Sequence, residues 1–138
     1  MAEGAYYGKM GFARFYALVF GIAYIGVSLL EVILGDLTVG DTVILQRTTL
    51  QNIVHWAVGV VVLGSFFAGE AAARTVARIV GIVFVALTIY GFVAPDSLGD
   101  LLGYPGDIPM SYNIVHLATA ILALFAGFAG SRRAVPAT

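Results

Sequence analysis

Asn52–Gly69 reads NIVHWAVGVVVLGSFFAG, and Asn113–Gly130 reads NIVHLATAILALFAGFAG. The same four residues, Asn-Ile-Val-His, open both stretches, and these hold the only two histidines of the chain, His55 and His116. Each motif leads into an apolar run long enough to cross a bilayer, whose core of about 30 Å needs about 20 helical residues. A duplicated unit is expected, with a histidine at matching places in both halves.

The whole composition agrees with that reading. The chain has 138 residues, 60% of them hydrophobic and 11% charged, with a mean hydropathy of +0.96. Soluble domains carry roughly 45–50% apolar and about 25% charged residues. Too few polar groups remain to cover a water-soluble protein of this size, so an integral membrane protein is expected. The net charge of −1 excludes nucleic acid as a partner, because phosphate binding needs clustered Lys and Arg. The absence of cysteine excludes disulfides, thiolate metal sites and cysteine catalysis. The loops hold no Ser-His-acid arrangement, no phosphate loop and no His-Glu-x-x-His, which favours a non-enzymatic role.

Four runs qualify as spans: about Ala13 to Gly35, Asn52 to Gly69, Val76 to Ala94 and Tyr112 to Gly130. Unpaired backbone is not tolerated in lipid, so all four are expected to be helices. A short turn, Glu70 to Arg74, separates the second from the third. Pro95 stops the third, and Pro109 suits the first turn of the fourth. The first run follows Lys9 and Arg14, as a signal peptide would. It is too long for one, carries Glu31 and lacks an adjacent Ala-x-Ala site, so it is read as a retained span. The expected fold is an all-α four-helix bundle of one domain over 1–138. It consists of two tandem, pseudo-symmetric helical hairpins, about 13–69 and 73–130.

Basic residues set the orientation. Lys9, Arg14, Arg74, Arg78, Arg132 and Arg133 fall at one end of the spans. The opposite loops hold Asp36, Asp41, Asp96, Asp100 and Asp107 against a single Arg47. Both termini are therefore expected on the cytoplasmic side of the cytoplasmic membrane. Tyr6, Tyr7, Trp56, Tyr104 and Tyr112 fall near the interfaces, as aromatic belts do.

The repeat extends beyond the histidines. Ala13-Arg14 matches Ala73-Arg74, and the stretch from Gly21-Ile22 to Ile33 runs parallel to that from Gly81-Ile82 to Val93. The following loop is one residue longer in the second half, so Asn52 pairs with Asn113. Two helix pairs related by an axis along the membrane normal fit this pattern, with the two Asn-x-x-His turns facing each other at equal depth.

With Asn-x-x-His opening helices two and four, and a glycine-bounded third helix from Gly81 to Gly91-Phe92, the chain resembles a bacterial family. The members are four-helix membrane proteins catalogued as a domain of unknown function, and the resemblance covers about Arg14 to Gly130. It implies architecture and no chemistry. A looser likeness exists to the DoxX-type four-helix proteins, some of which are linked to quinone-dependent oxidation.

Glu31 is the only acidic residue inside a span. A charge at the bilayer centre costs about 3 kcal/mol or more, so such a residue needs a partner or a task. Tyr24, Ser28 and Glu31 share one helix face, and their repeat-mates are Phe84, Thr88 and Gly91. Two histidines and one carboxylate are expected to converge, with open space where Gly91 replaces a second carboxylate.

Several readings of this constellation stay open. In the structural one, Asn52 and Asn113 cap the helix starts, and each histidine bonds across the bundle or to Glu31. In the second, His55, His116 and Glu31 hold a metal ion such as Zn, Fe, Mn or Cu, with the asparagines orienting the imidazoles. In the third, His55 and His116 are the axial ligands of a haem, with Gly59 and Ala120, one turn inward, leaving room for the ring. Proton transfer, or a lipid or quinone held between helices, completes the set. Ala120, Ala123 and Gly127 form a small-residue stripe expected to pack inside the bundle. The bilayer is the first partner, and other membrane proteins of a larger complex are the second.

Overall fold

The computed structural model describes residues 10–40, 42–45 and 48–129. Lys9, Tyr6, Tyr7, Asp41, Arg47, Arg132 and Arg133, used above for orientation and belts, lie outside the described residues. The elements run α1 Phe12–Leu34, β1 Leu37–Val39, β2 Thr42–Leu45, α2 Thr49–Ala68, α3 Glu70–Val93, α4 Pro95–Leu102 and α5 Met110–Phe128. Four of the helices, α1, α2, α3 and α5, are long and apolar enough to cross a membrane.

Their surfaces show the solvent they are built for. Large apolar side chains point outward, with Ile33 73%, Phe67 76% and Val93 78% exposed. The interior is rich in small residues, with Ala13, Ala17, Ala73, Ala77, Ala120, Ala123 and Ala126 buried beside Tyr16, Val62, Val80 and Phe84. This distribution would aggregate in water, and it suits lipid, where small residues let backbones approach and bulky ones face acyl chains. The protein is a membrane-embedded helical bundle.

α1 lies against α2, and α3 against α5; contacts of α3 with α2 and α1 join the two pairs. Close crossings set both pairings. A Cβ on Gly21 would sit 2.7 Å from the backbone nitrogen of Leu63, and one on Gly81 would sit 2.7 Å from Leu124 Cδ2. The stripe of Ala120, Ala123 and Gly127 is buried, with Gly127 placed against the backbone of Arg78.

One end of the bundle gathers Arg14, Arg74 and Arg78. There Glu70, at the start of α3, accepts the backbone N–H groups of Ala13 (3.3 Å) and Arg14 (3.1 Å). It thereby caps α1, whose own N-cap residue is a glycine with no side chain to offer. Arg14 Nε donates to the Phe66 carbonyl, and Arg78 Nε to that of Gly127.

Several expectations are corrected here. The turn at Glu70 to Arg74 does not exist: α3 begins at Glu70, six residues before the expected start at Val76. Gly69, at φ +107°, makes the reversal alone, and the run of alanines after Glu70 is strongly helix-forming. Pro95 does stop α3, but it also opens α4, because proline suits the first helical position. The first loop contains the antiparallel hairpin of β1 and β2. The second and fourth spans start earlier than expected, at Thr49 and Met110.

Candidate functional site

At the end of the bundle opposite the three arginines, a cavity of about 400 Å³ remains between α1, α2, α3 and α5. His55 and His116 both line it, so the matching histidines meet at one site. Phe20, Ala23, Tyr24 and Val27 contribute the α1 wall, Gln51 stands one turn before His55, and Phe84 comes from α3. Ser111, Tyr112, Val115 and Thr119 complete the wall on α5. Tyr24 lies 6.3 Å from the His55 ring and 6.2 Å from Phe84, and Phe84 meets His116 edge-on at 5.3 Å. An aromatic row therefore connects the two imidazoles.

Glu31 stands behind His55 rather than in the cavity wall. Its carboxylate is 2% exposed, and Oε1 lies 3.7 Å from His55 Nδ1. Its other oxygen accepts from Asn52 Nδ2 at 3.3 Å. The same amide group donates to the Ser28 carbonyl at 3.0 Å, while Ser28 Oγ donates to the Asn52 carbonyl at 3.0 Å. Ser28, Glu31 and Asn52 thus form a reciprocal clamp that holds α1 to α2.

The asparagines consequently do not cap their helices. Thr48 caps α2 by accepting the Gln51 N–H, and Asn52 and Asn113 sit one turn inside, turned toward the neighbouring helix. The open space expected opposite Glu31 is also absent. A Cβ on Gly91 would overlap the carboxamide of Asn113, so the glycine makes room for that side chain.

The geometry bears on two details of the ligand readings, the room for a haem ring at Gly59 and the three-ligand grouping of a metal site. Gly59 does not leave room for a haem ring: a Cβ there would lie 2.7 Å from Ile25 Cγ1 and 3.1 Å from the Ile25 nitrogen, so α1 already occupies the space. Among the described residues, no three His, Cys, Asp or Glu side chains are grouped so as to hold a metal ion. His55 and Glu31 are paired, and His116 faces the cavity from the far side.

On the cavity wall, the buried Tyr24 Oη and His116 Nδ1 have no hydrogen-bond partner, nor has Asn113 Oδ1 nearby in sequence, while Glu31 Oε1 and His55 Nδ1 have only each other, at 3.7 Å. Orphans of this kind are uncommon in native interiors, and a cluster marks a place for water or a ligand.

Above the cavity, the segment from Pro95 to Ile108 folds over the bundle end. Leu98, Tyr104, Ile108 and Tyr112 form a second buried cluster. Thr48 Oγ1 donates to the Leu102 carbonyl at 2.8 Å, and the Tyr104 hydroxyl donates to Gln51 Oε1. Sequence reasoning missed Gln51, Phe84 as a wall residue, and Tyr104 as more than a belt residue. Gln51 and Tyr112 occupy matching positions before the two Asn-x-x-His motifs, and that register was the available signal.

No curated protein and no solved structure matches the chain. The DoxX-type likeness gains no support from these comparisons. A family model described as a domain of unknown function, DUF4383, matches residues 14–129. That match covers nearly all of the four spans, and the chain belongs to this family of unknown function.

Proposed function

We propose that this small protein of the cytoplasmic membrane, with both termini cytoplasmic, holds a small molecule near the outer face and catalyses no reaction itself. The observation that carries the reading is the cavity of about 400 Å³ lined by both histidines and surrounded by orphaned polar atoms. Ligand sites are usually concave, about 300–1,000 Å³, mostly apolar and furnished with a few convergent polar groups, and this cavity has each feature. His55, His116 and Gln51 supply the hydrogen bonds. Glu31, Asn52 and Ser28 hold His55 in place from behind, while Tyr24 and Phe84 shape the wall between the two imidazoles.

The orientation is supported by charge. The described arginines, Arg14, Arg74 and Arg78, share one end, and Asp36, Asp96, Asp100 and Asp107 share the other. The two halves are read as one duplicated hairpin, supported by the matching crossings of Gly21 on Leu63 and Gly81 on Leu124. An accessory role beside other membrane proteins is compatible with such a binding subunit.

A bound metal ion between His55 and His116 is the second reading, and it draws on the two imidazoles sharing one cavity. Both readings meet in one experiment. The full chain is purified in bilayer discs cut from its native membrane, extracted with organic solvent and assayed for organic molecules and metals by mass spectrometry. An organic compound at near-stoichiometric amount, lost in the His55→Ala/His116→Ala variant, is expected. A stoichiometric metal lost in that variant would move the assignment to the second reading, and neither would leave the histidines as links between helices.

A further inference from the structure

We infer that the cavity takes an uncharged, bilayer-dissolved amphiphile that enters sideways between α1 and α5, an inference that rests on the small-molecule binding proposed above. Three independent features lead there.

The first is closure from the aqueous end. The Pro95–Ile108 segment is pinned to the start of α2 by the Thr48 and Tyr104 hydrogen bonds. Its Tyr104 packs edge-on against Tyr112, a cavity wall residue, at 5.4 Å. The groups that hold this roof, Gln51 and Tyr112, also line the cavity, so a ligand arriving from water would have to dismantle the wall it binds.

The second is a seam on the side. α1 and α5 touch sparsely, and their one ring contact is at the arginine end, where Phe12 meets Phe125 edge-on at 5.2 Å. Toward the other end, residues of both helices line the cavity, with Tyr24 on α1 and Thr119 on α5 both in its wall. Ala23 on α1 and Val115 on α5 belong to the cavity wall and are exposed, Val115 by 60%. The cavity therefore reaches the lipid-facing surface at these residues.

The third is the chemistry of the lining. It contains no Asp, Glu, Lys or Arg. An anion placed there would find no counter-charge in a low-dielectric interior and would lie near the Glu31 carboxylate, while a cation would have only that carboxylate, which already faces His55. A neutral imidazole offers one donor and one acceptor, so two of them suit a hydroxyl or carbonyl head group. The apolar body then lies along Phe20, Phe84 and Val27, with its tail leaving through the seam.

The test uses the full chain in phosphatidylcholine vesicles containing a medium-chain alcohol that carries a photoreactive diazirine. A matched carboxylate at pH 8 serves as the charged probe, and a short water-soluble diazirine alcohol as the aqueous one. After irradiation, cross-links are mapped by peptide mass spectrometry. The lipid-dissolved alcohol is expected to label cavity residues at least five-fold more than the carboxylate does. Trp at the seam, in Ala23→Trp and Val115→Trp, is expected to cut that labelling several-fold, and Ile82→Trp on another exposed face to leave it unchanged. Both seam positions are already exposed, and a melting curve confirms that each variant folds. Cavity labelling that ignores the seam variants, or that is as strong with the carboxylate, overturns this inference. Labelling by the water-soluble alcohol alone keeps a binding site but refutes loading from the bilayer. No cavity labelling by any probe, together with an empty organic extract, removes the binding function as well.

Discussion

The α1–α2 pair and the α3–α5 pair are alike at one end and unlike at the other. At the arginine end, Arg14 Nε reaches the Phe66 carbonyl and its guanidinium lies 4.8 Å from the Phe66 ring centre. Arg78 does the same for the second pair, reaching the Gly127 carbonyl and lying 4.8 Å from the Phe128 ring centre. At the cavity end the pairs part. Ser28, Glu31 and Asn52 lock α1 to α2 through three hydrogen bonds. Their counterparts are Thr88, Gly91 and Asn113. Thr88 turns its hydroxyl back to its own helix, at the Phe84 carbonyl, and Asn113 Oδ1 has no partner. The two pairs therefore differ at one locus: the first keeps a carboxylate behind its histidine, and in the second Asn113 packs its carboxamide against Gly91.

The largest consequence concerns the two asparagines. Removing Asn52 takes away the hydrogen bond to Glu31 Oε2 and breaks the clamp, whereas Asn113 can be shortened without breaking such a clamp. Asn52→Ala is expected to cost about 2–3 kcal/mol and Asn113→Ala about 1 kcal/mol, on the usual scale for buried polar groups. Unfolding of the reconstituted protein by denaturant measures both. Equal losses would mean that the two ends of the cavity are energetically alike, whatever their geometry.

The next effect is a coupling. Because Glu31 Oε1 lies 3.7 Å from His55 and Glu31 is absent from the cavity wall, Glu31→Gln should interact with His55→Ala and not with His116→Ala. A double-mutant cycle should return about 1 kcal/mol for the first pair and about zero for the second. In imidazole NMR spectra, Glu31→Gln should displace the His55 signals and leave those of His116 in place. Matching displacements of both histidines would sink the one-sided pairing.

These contrasts were only partly legible in the sequence. The four spans were, because lipid demands long apolar helices and nothing competes with that signal. Glu31 and the two histidines also stood out, since polar groups are conspicuous in an apolar run. The clamp did not, because the Asn-x-x-His register places Asn52 near a helix start, where a capping role is the ordinary inference. Only the observed start at Thr49 turns that side chain toward α1. Gly91 could not announce its purpose either: a glycine opposite a carboxylate looks like a vacancy until the neighbouring helix fills it. The α4 helix hid behind Pro95, which serves equally to end one helix and begin the next. Its markers were nevertheless present, with Pro95 at the first position, Asp96 in the first turn, Leu98 and Leu102 one turn apart, and Gly103 left-handed at φ +80°.

At the arginine end the prediction is sameness. Arg14→Ala and Arg78→Ala should each cost somewhat under about 1 kcal/mol, the scale of one exposed carbonyl bond and one cation–π contact. The two losses should agree within error when melted side by side. A clear inequality would show that Glu70, which caps α1 beside Arg14 and has no equivalent beside Arg78 among the described residues, carries most of the difference between the pairs.

The smallest effect lies in the roof, which belongs to the second pair and reaches across to the first through Tyr104 and Gln51. Burial pushes the Tyr104 phenol up from its usual value of 10.0. A raised value means that the folded state prefers the neutral phenol. The contribution to stability is therefore complete below about pH 10 and is lost as pH rises above it, where the unfolded chain ionises first. Tyr104→Phe removes the bond to Gln51 and should cost about 0.5–1 kcal/mol at pH 8, the usual net worth of one hydrogen bond. It also removes the ionisable group, so the gap between variant and wild type should close as melting is followed from pH 8 to pH 11. A gap that stays constant would mean that the phenol is not held neutral by the fold. The roof would then be a surface feature, with no part in joining the two helix pairs over the cavity.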